Sequence, residues 1–274
     1  MLRGRSWLLL AAVPMLAACS LIYRSDLDDA RRPGADGADG GPDATSAADA
    51  GTVDAGTDAG PGGCAAYPDV KFCDDFDTKL NVSDGWDELS TDQGATVLFD
   101  SVAYSAPLSF RATLENSPDC RYGRLEKRWT GVGTKRVRAS FRIRPEGPWK
   151  GGVGYAFFGT TGCSIVMGLD EDAPTVSANI NAQYVADSVL KNDVRDLDGA
   201  PYPDEWTDVI YELTPSDGHA KLNVKFVHPD GEVTDKTHDL PQCKLAGEVE
   251  LDLGYHCSSG THAIRYDDVR LDWE

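Results

Sequence analysis

The chain predicts an all-β fold, a two-sheet antiparallel sandwich over residues 64–274, preceded by a segment that cannot fold on its own. Three observations carry this. More than ten short segments alternate apolar and polar residues with period two. Clusters of Gly, Pro, Asn and Asp punctuate them at regular intervals, as in sandwiches and barrels. All six cysteines after residue 63 fit an exported domain stapled by disulfides.

The clearest strand is Lys135–Arg144. There Val137, Ala139, Phe141 and Ile143 alternate with Arg136, Arg138, Ser140, Arg142 and Arg144, so one face is apolar and the other cationic. Similar patterns occupy Ala95–Val102, Leu108–Leu114, Tyr122–Trp129, Val153–Phe158, Ser164–Leu169, Val176–Tyr184, Trp206–Leu213, Glu248–Leu253 and His262–Leu271. Lys221–Val227 and Glu232–Asp239 flank Pro229-Asp230-Gly231 and form a hairpin. Leu190–Leu197 is the one stretch with room for a helical turn. Among the cysteines, spacing favours Cys64–Cys73 and Cys243–Cys257 as local staples and Cys120–Cys163 as a longer one. No pair has the C-x₂-C spacing of a zinc site.

Residues 1–18 read as an export signal. Arg3 and Arg5 precede a short apolar run from Trp7 to Val13, too short to span a bilayer, and small residues lead to the cut point. Leu16-Ala17-Ala18-Cys19 resembles the lipobox of bacterial lipoprotein signal peptides. That resemblance implies diacylglycerol on the Cys19 sulfur, cleavage before it and an acylated amino group. Chains contributing roughly 0.8 kcal/mol per buried CH₂ would hold the protein on a membrane. By the same resemblance Ser20 favours the outer membrane. Residues 19–63 continue as a linker whose segment 33–63 holds nine Gly, eight Ala, six Asp and three Pro. Such a composition cannot offset its ordering entropy, and it makes a self-repelling spacer with a reach of roughly 35 Å.

The formal charge is −19, which argues against a nucleic-acid partner, since phosphate backbones require a basic footprint. The average conceals a contrast. Residues 111–150 hold 11 basic and four acidic side chains, or +7, within a domain of −15. Arg136, Arg138, Arg142 and Arg144 share one strand face, and Arg124 and Arg128 join it if the Tyr122–Trp129 strand lies alongside. Two readings stand. The face is neutralised by acidic strands such as Glu248-Val249-Glu250-Leu251-Asp252, or its guanidinium forks bind the carboxylate or sulfate groups of an acidic glycan. Trp86, Trp149, Tyr155, Tyr184 and Tyr202 fall near turns where rings would stack on sugars.

The two ends of the domain carry a further likeness. Phe72-Cys73-Asp74-Asp75-Phe76-Asp77 with Gly85-Trp86, and the closing Tyr266-Asp267-Asp268-Val269-Arg270-Leu271, resemble the ends of jelly-roll carbohydrate-binding modules. Those modules share their architecture with concanavalin A-like and laminin-G-like domains. The resemblance implies a structural calcium held by Asp77 and Asp268, where a hard cation would find several oxygens. Asp193–Glu205 partly fits a calcium-loop template, but Val194 stands where an acid is required, so a solvated acidic loop is the better reading.

Catalytic signatures are incomplete. Glu250-Leu251-Asp252 begins the E-x-D-x-E motif of laminarinase-type hydrolases, yet Gly254 and Tyr255 stand where the second Glu belongs. Arg124-Leu125-Glu126-Lys127-Arg128 echoes the R-x-E-L-R of alginate-lyase-type jelly rolls, and their Q-[IV]-H is absent. The histidines have no ligand spacing. The expectation is therefore a non-enzymatic surface lipoprotein whose ligand candidates are Arg124, Arg128, Arg136, Arg138, Arg142, Arg144, Trp149 and Tyr155. Its partners would be a membrane, through the lipid anchor, and a glycan. An envelope protein is the alternative partner, and a degenerate hydrolase or lyase is the third reading.

Overall fold

The computed structural model describes residues 63–132, 135–147, 153–160, 163–172, 175–186, 189–197, 199–241, 243, 245 and 247–274. The signal segment, Cys19, the linker through residue 62 and Trp149 lie outside them, as do the side chains of Tyr184, Cys163 and Cys257.

A short 3₁₀ turn, Cys64–Ala66, precedes thirteen strands among the described residues. They are β1 (Phe72–Asp74), β2 (Glu88–Thr91), β3 (Ala95–Asp100), β4 (Ser109–Thr130), β5 (Val137–Glu146), β6 (Val153–Thr160) and β7 (Cys163–Asp172). After them come β8 (Thr175–Ala186), β9 (Val189–Leu197), β10 (Thr207–Ser216), β11 (His219–Val227), β12 (Val233–Leu240) and β13 (Glu248–Trp273). The fold is the expected antiparallel jelly-roll sandwich.

Its two layers are joined by two long bent strands. The C-terminal half of β13 pairs with β5 on one edge and with β1 and the first half of β4 on the other. Its N-terminal half pairs with β6 and the second half of β4. The front sheet thus runs β12-β11-β10-β5-β13-β4-β3, and the back sheet β9-β8-β7-β6-β13-β4-β2. Register shifts between Tyr255 and His262 mark the corner where β13 passes from one layer to the other. Gly254 enters that corner at φ 121°, and a Cβ there would lie 2.2 Å from the Gly123 carbonyl oxygen.

The layers meet through side chains that period-two patterning turns inward. Val137, Ala139, Phe141 and Ile143 of β5 are buried, as are Val209, Tyr211 and Leu213 of β10 and Leu222, Val224 and Phe226 of β11. Tyr155 of the back sheet and Tyr211 of the front share a hydroxyl–hydroxyl bond of 2.5 Å, and the Trp129 and Trp273 rings meet at 5.7 Å. Tyr155 is fully buried, which corrects its reading as a sugar platform. A register shift between Gly154 and Ala156 interrupts the alternation of β6, and Tyr155 and Ala156 are both buried.

Two other expectations change. Leu190–Leu197 is strand β9, paired along β8, and contains no helical turn; the first five residues of the acidic segment read as a solvated loop, Asp193–Leu197, belong to this strand. The strand holding Arg124 and Arg128 lies beside β13 and β2 in the back sheet, so those arginines do not share the β5 face.

Cys64 and Cys73 form the expected local disulfide. Cys120 and Cys243 are also disulfide-bonded. The backbone register bears on their partners. Arg121 lies opposite Ser258 at the corner, whereas Cys163 lies opposite Thr160, which faces Val249 near the far end. Positions 120 and 163 are therefore roughly 25 Å apart by strand rise, far beyond the separation a disulfide spans. Cys257 lies in the strand beside Cys120, next to the Arg121–Ser258 pair, which leaves Cys243 for Cys163. Non-reducing peptide mapping is expected to recover Cys64–Cys73, Cys120–Cys257 and Cys163–Cys243. A Cys120–Cys163 peptide would contradict the register.

Candidate functional site

The outer face of the front sheet carries the arginines of β5, and the strand partners decide what each can do. Arg136 pairs with Asp272 at 3.1 Å and Glu274 at 2.9 Å, with Glu212 at 4.0 Å. Arg142 is held by Asp208 at 2.6 Å and by Asp268. Arg144 donates through Nε to the Asp204 carbonyl at 2.9 Å. Arg138 forms no ion pair among the described residues, although the register sets it between Glu212 and Asp272. Neutralisation by neighbouring acids is thus realised for two of the four.

At the Arg144 end of this face lies a cavity of about 590 Å³. Its lining includes Tyr104, Arg144, Asp204, Trp206, Asp208 and His228. The loop bearing Tyr104 is anchored by Asp267, whose carboxylate accepts from the Tyr104 and Ser105 amides at 2.8 and 2.9 Å and from the Ser105 hydroxyl at 3.1 Å. Tyr104 is half exposed and carries the Arg142 guanidinium 3.4 Å from its ring centre. Trp206 meets it edge-on at 6.3 Å. Across the mouth Tyr202 stacks on His228 at 4.0 Å and donates its hydroxyl to Glu232. The exposed Tyr104 ring and the part-buried Trp206 ring thus stand beside guanidinium and carboxylate groups, a composition suited to a polyhydroxyl ring.

The calcium positions lie just behind this loop. Asp77 and Asp268 are close enough that Asp268 helps raise the Asp77 carboxyl, after burial, above its ordinary value. Asp268, however, is paired with Arg142 and accepts the Ser105 hydroxyl, and one Asp77 oxygen accepts the Leu108 amide at 3.0 Å. A guanidinium supplies the positive charge here. With Asp268 taken by Arg142 and Ser105 and Asp77 by the Leu108 amide, the pair as arranged is a poor fit for the ion.

The back sheet presents a different assembly. Its register sets Asp252 opposite Glu126, Glu250 opposite Arg128 and Gly254 opposite Arg124, so the two incomplete catalytic motifs of the sequence lie side by side. Carboxylate oxygens of Glu126, Glu250 and Asp252 gather within 4.8 Å of one another. Arg124 bridges Asp252 and Glu126 at 3.2 Å each, and Arg128 bridges Glu126 at 2.5 Å and Glu250 at 3.4 Å. His256 Nδ1 faces the Arg124 guanidinium at 3.3 Å and can only accept from it, so the proton sits on Nε2, 3.7 Å from Asp252. Burial holds His256 well below its ordinary pKa, with Arg124 adding to the effect, so the ring is neutral. Phe157 stacks over it at 5.5 Å.

Three carboxyls beside two guanidiniums balance when one carboxyl keeps its proton. Asp252 is that one. Burial pushes it up to about 8, with Glu250 and Glu126 opposing the relief offered by Arg124. Burial and Glu250 also raise Glu126. Sequence reading missed this cluster because each motif was judged on its own strand. The same-face spacing of Glu250, Asp252 and His256 was the available signal.

No family model matches the sequence, and a comparison with curated proteins finds no match. Solved structures resemble the fold. An alginate lyase from Aplysia kurodai superposes with TM-score 0.50 at 8% identity, covering 65% of this chain and 87% of that one. An endo-1,3-beta-glucanase from Streptomyces sioyaensis gives 0.51 at 12%, covering 74% and 95%. Cellulose induced protein Cip1 gives 0.49 at 18%, covering 73% and 96%. At these identities the likeness establishes a jelly-roll sandwich and nothing finer.

The Asp252 proton has a measurable consequence. A carboxyl raised in the folded state contributes stability that is fully present below its unfolded value and lost as pH rises through the folded one. For Asp252 that window runs from about 4 to about 8. Asp252→Asn keeps the protonated shape and cannot ionise. Thermal melts are expected to show the variant gaining on the parent across this window, by on the order of a few kcal/mol above it. Parallel pH profiles would contradict the assignment.

Proposed function

We propose that the domain binds carbohydrate without chemically altering it, on a protein exported and tethered to the cell envelope through Cys19, with the outer membrane its favoured location. The observation that carries this reading is the rim cavity. Tyr104 and Trp206 offer apolar ring surface, and Arg144, Asp204 and Asp208 offer fixed donors and acceptors around it. The jelly-roll fold is in keeping with the reading, since carbohydrate-active proteins are among its structural neighbours. The linker of residues 19–63 would let the domain search for polymer away from the lipid surface.

A hydrolase or lyase is the second reading, favoured by the three gathered carboxyls. Against it, Glu126 and Asp252 are 1% and 0% exposed and are committed to arginines, which leaves Glu250 as the accessible member. A hydrolytic pair needs an acid and a partner that both reach the scissile bond.

Glycan-array screening of the full chain separates these readings. Binding to an oligosaccharide that falls about tenfold or more in Trp206→Ala, with no reducing ends or unsaturated products released on long incubation, is expected. Product release abolished by Glu250→Gln would replace the binding reading with the enzymatic one. Absence of binding to any glycan would overturn the carbohydrate assignment.

A further inference from the structure

The opposite end of the β5 face holds a second, smaller cavity of about 190 Å³. Arg136, Arg138 and Arg270 converge on it, over a floor of Ser140 and Ile210. Asp272 is the one carboxylate in its lining, and Arg136 takes it at 3.1 Å. Arg138 and Arg270 form no ion pair among the described residues. The Arg270 Nε is buried and has no hydrogen-bond partner. A guanidinium with a buried, unsatisfied N–H is costly unless an acceptor reaches it.

The wall of the cavity is placed by a specific local device. The Cys64–Cys73 disulfide closes a short loop onto β1, and the 3₁₀ turn after Cys64 brings Tyr67 over the sheet. Its ring lies 4.0 Å from the Arg270 guanidinium carbon, which fixes the plane of that side chain by cation–π contact. The stacked Arg270 and the unpaired Arg138 then present N–H donors to one small space bounded by the apolar Ile210 and the half-exposed Tyr67. Planar donors of this kind match the oxygens of a carboxylate or sulfate, and the ring and apolar surface suit the body that carries it.

We propose that Arg138, Arg270 and Tyr67 form an oxyanion subsite for the carboxylate or sulfate group of an acidic saccharide. The choice of a saccharide as carrier rests on the carbohydrate reading above; the oxyanion chemistry stands without it. Arg138 and Arg144 are six residues apart on β5, so the subsite and the rim cavity lie about 20 Å apart on one strand face. One extended acidic oligosaccharide laid along β5 would fill both.

The test uses the full chain and ¹H–¹⁵N spectra read at the arginine Nε–H signals, with calorimetry for affinity. Probes are inorganic sulfate, a sulfated monosaccharide, glucuronate, a neutral oligosaccharide and poly-glutamate. Glucuronate and the sulfated sugar are expected to shift the Arg138 and Arg270 signals. Arg138→Ala and Arg270→Ala should each weaken glucuronate binding about tenfold or more. Arg138→Lys keeps the charge and loses the fork, and it should weaken binding as well, which covers the case of a misfolded alanine variant. No shift of these signals with either charged sugar would overturn the subsite. Inorganic sulfate or poly-glutamate binding as tightly as the charged sugars would overturn the saccharide assignment. Neutral oligosaccharide binding lost in Trp206→Ala and kept in Arg138→Ala would mark the rim cavity as independent, so either site can fail alone.

Discussion

Strand β13 is hydrogen-bonded on both edges along most of its length, to β4 and β6 in one layer and to β5, β4 and β1 in the other. Every feature argued here depends on that pairing. It aligns Asp252 with Glu126 and Glu250 with Arg128 on the back sheet. On the front sheet it sets Asp272 and Arg270 beside Arg138 and Ser140. It also carries Asp267, whose carboxylate holds the Tyr104 loop at the rim. The corner at Gly254–His262 lets one continuous strand serve both layers, so the two faces are set by the same registers.

The two outer faces solve their electrostatics differently. The back-sheet cluster is paired mainly by charge: guanidiniums face carboxyls, one carboxyl retains its proton, and burial keeps the histidine neutral, while the Asp252 oxygens, Arg124 Nε and His256 Nε2 are buried without hydrogen-bond partners. Its carboxyls Glu126 and Asp252 are almost wholly buried, which leaves Glu250 as the member a ligand can reach. The front face is left open at two points. Aromatic surface stands exposed at one end, and at the other Arg138 and Arg270 have no acidic partner among the described residues. Unsatisfied capacity of that sort is what an incoming ligand can use.

Much of the fold was legible in the sequence because period two is a strong local signal where one strand face is buried. Val137–Ile143 and the β11–β12 hairpin read correctly for that reason. Leu190–Leu197 misled, since an edge strand with Lys191, Asn192 and Asp193 lacks a continuous apolar face. Tyr155 misled because it was read as a ring near a turn, whereas a bulge in β6 leaves both Tyr155 and Ala156 turned inward. The site was less legible still. Which acid neutralises which arginine depends on cross-strand register, so the freedom of Arg138 and the commitment of Arg142 look alike in sequence. Tyr104 and Tyr67 belong to loops held by a distant aspartate and by a disulfide, and neither carries a local signature.

We propose that ligand recognition belongs to the outer face of β5 and not to the acid cluster of the back sheet. A crystal structure of the protein with an acidic oligosaccharide tests it most directly. The saccharide is expected along β5, with ring contacts at Tyr104 and Trp206 and its acidic group between Arg138 and Arg270. A saccharide seated over Glu126, Asp252 and His256 would contradict it.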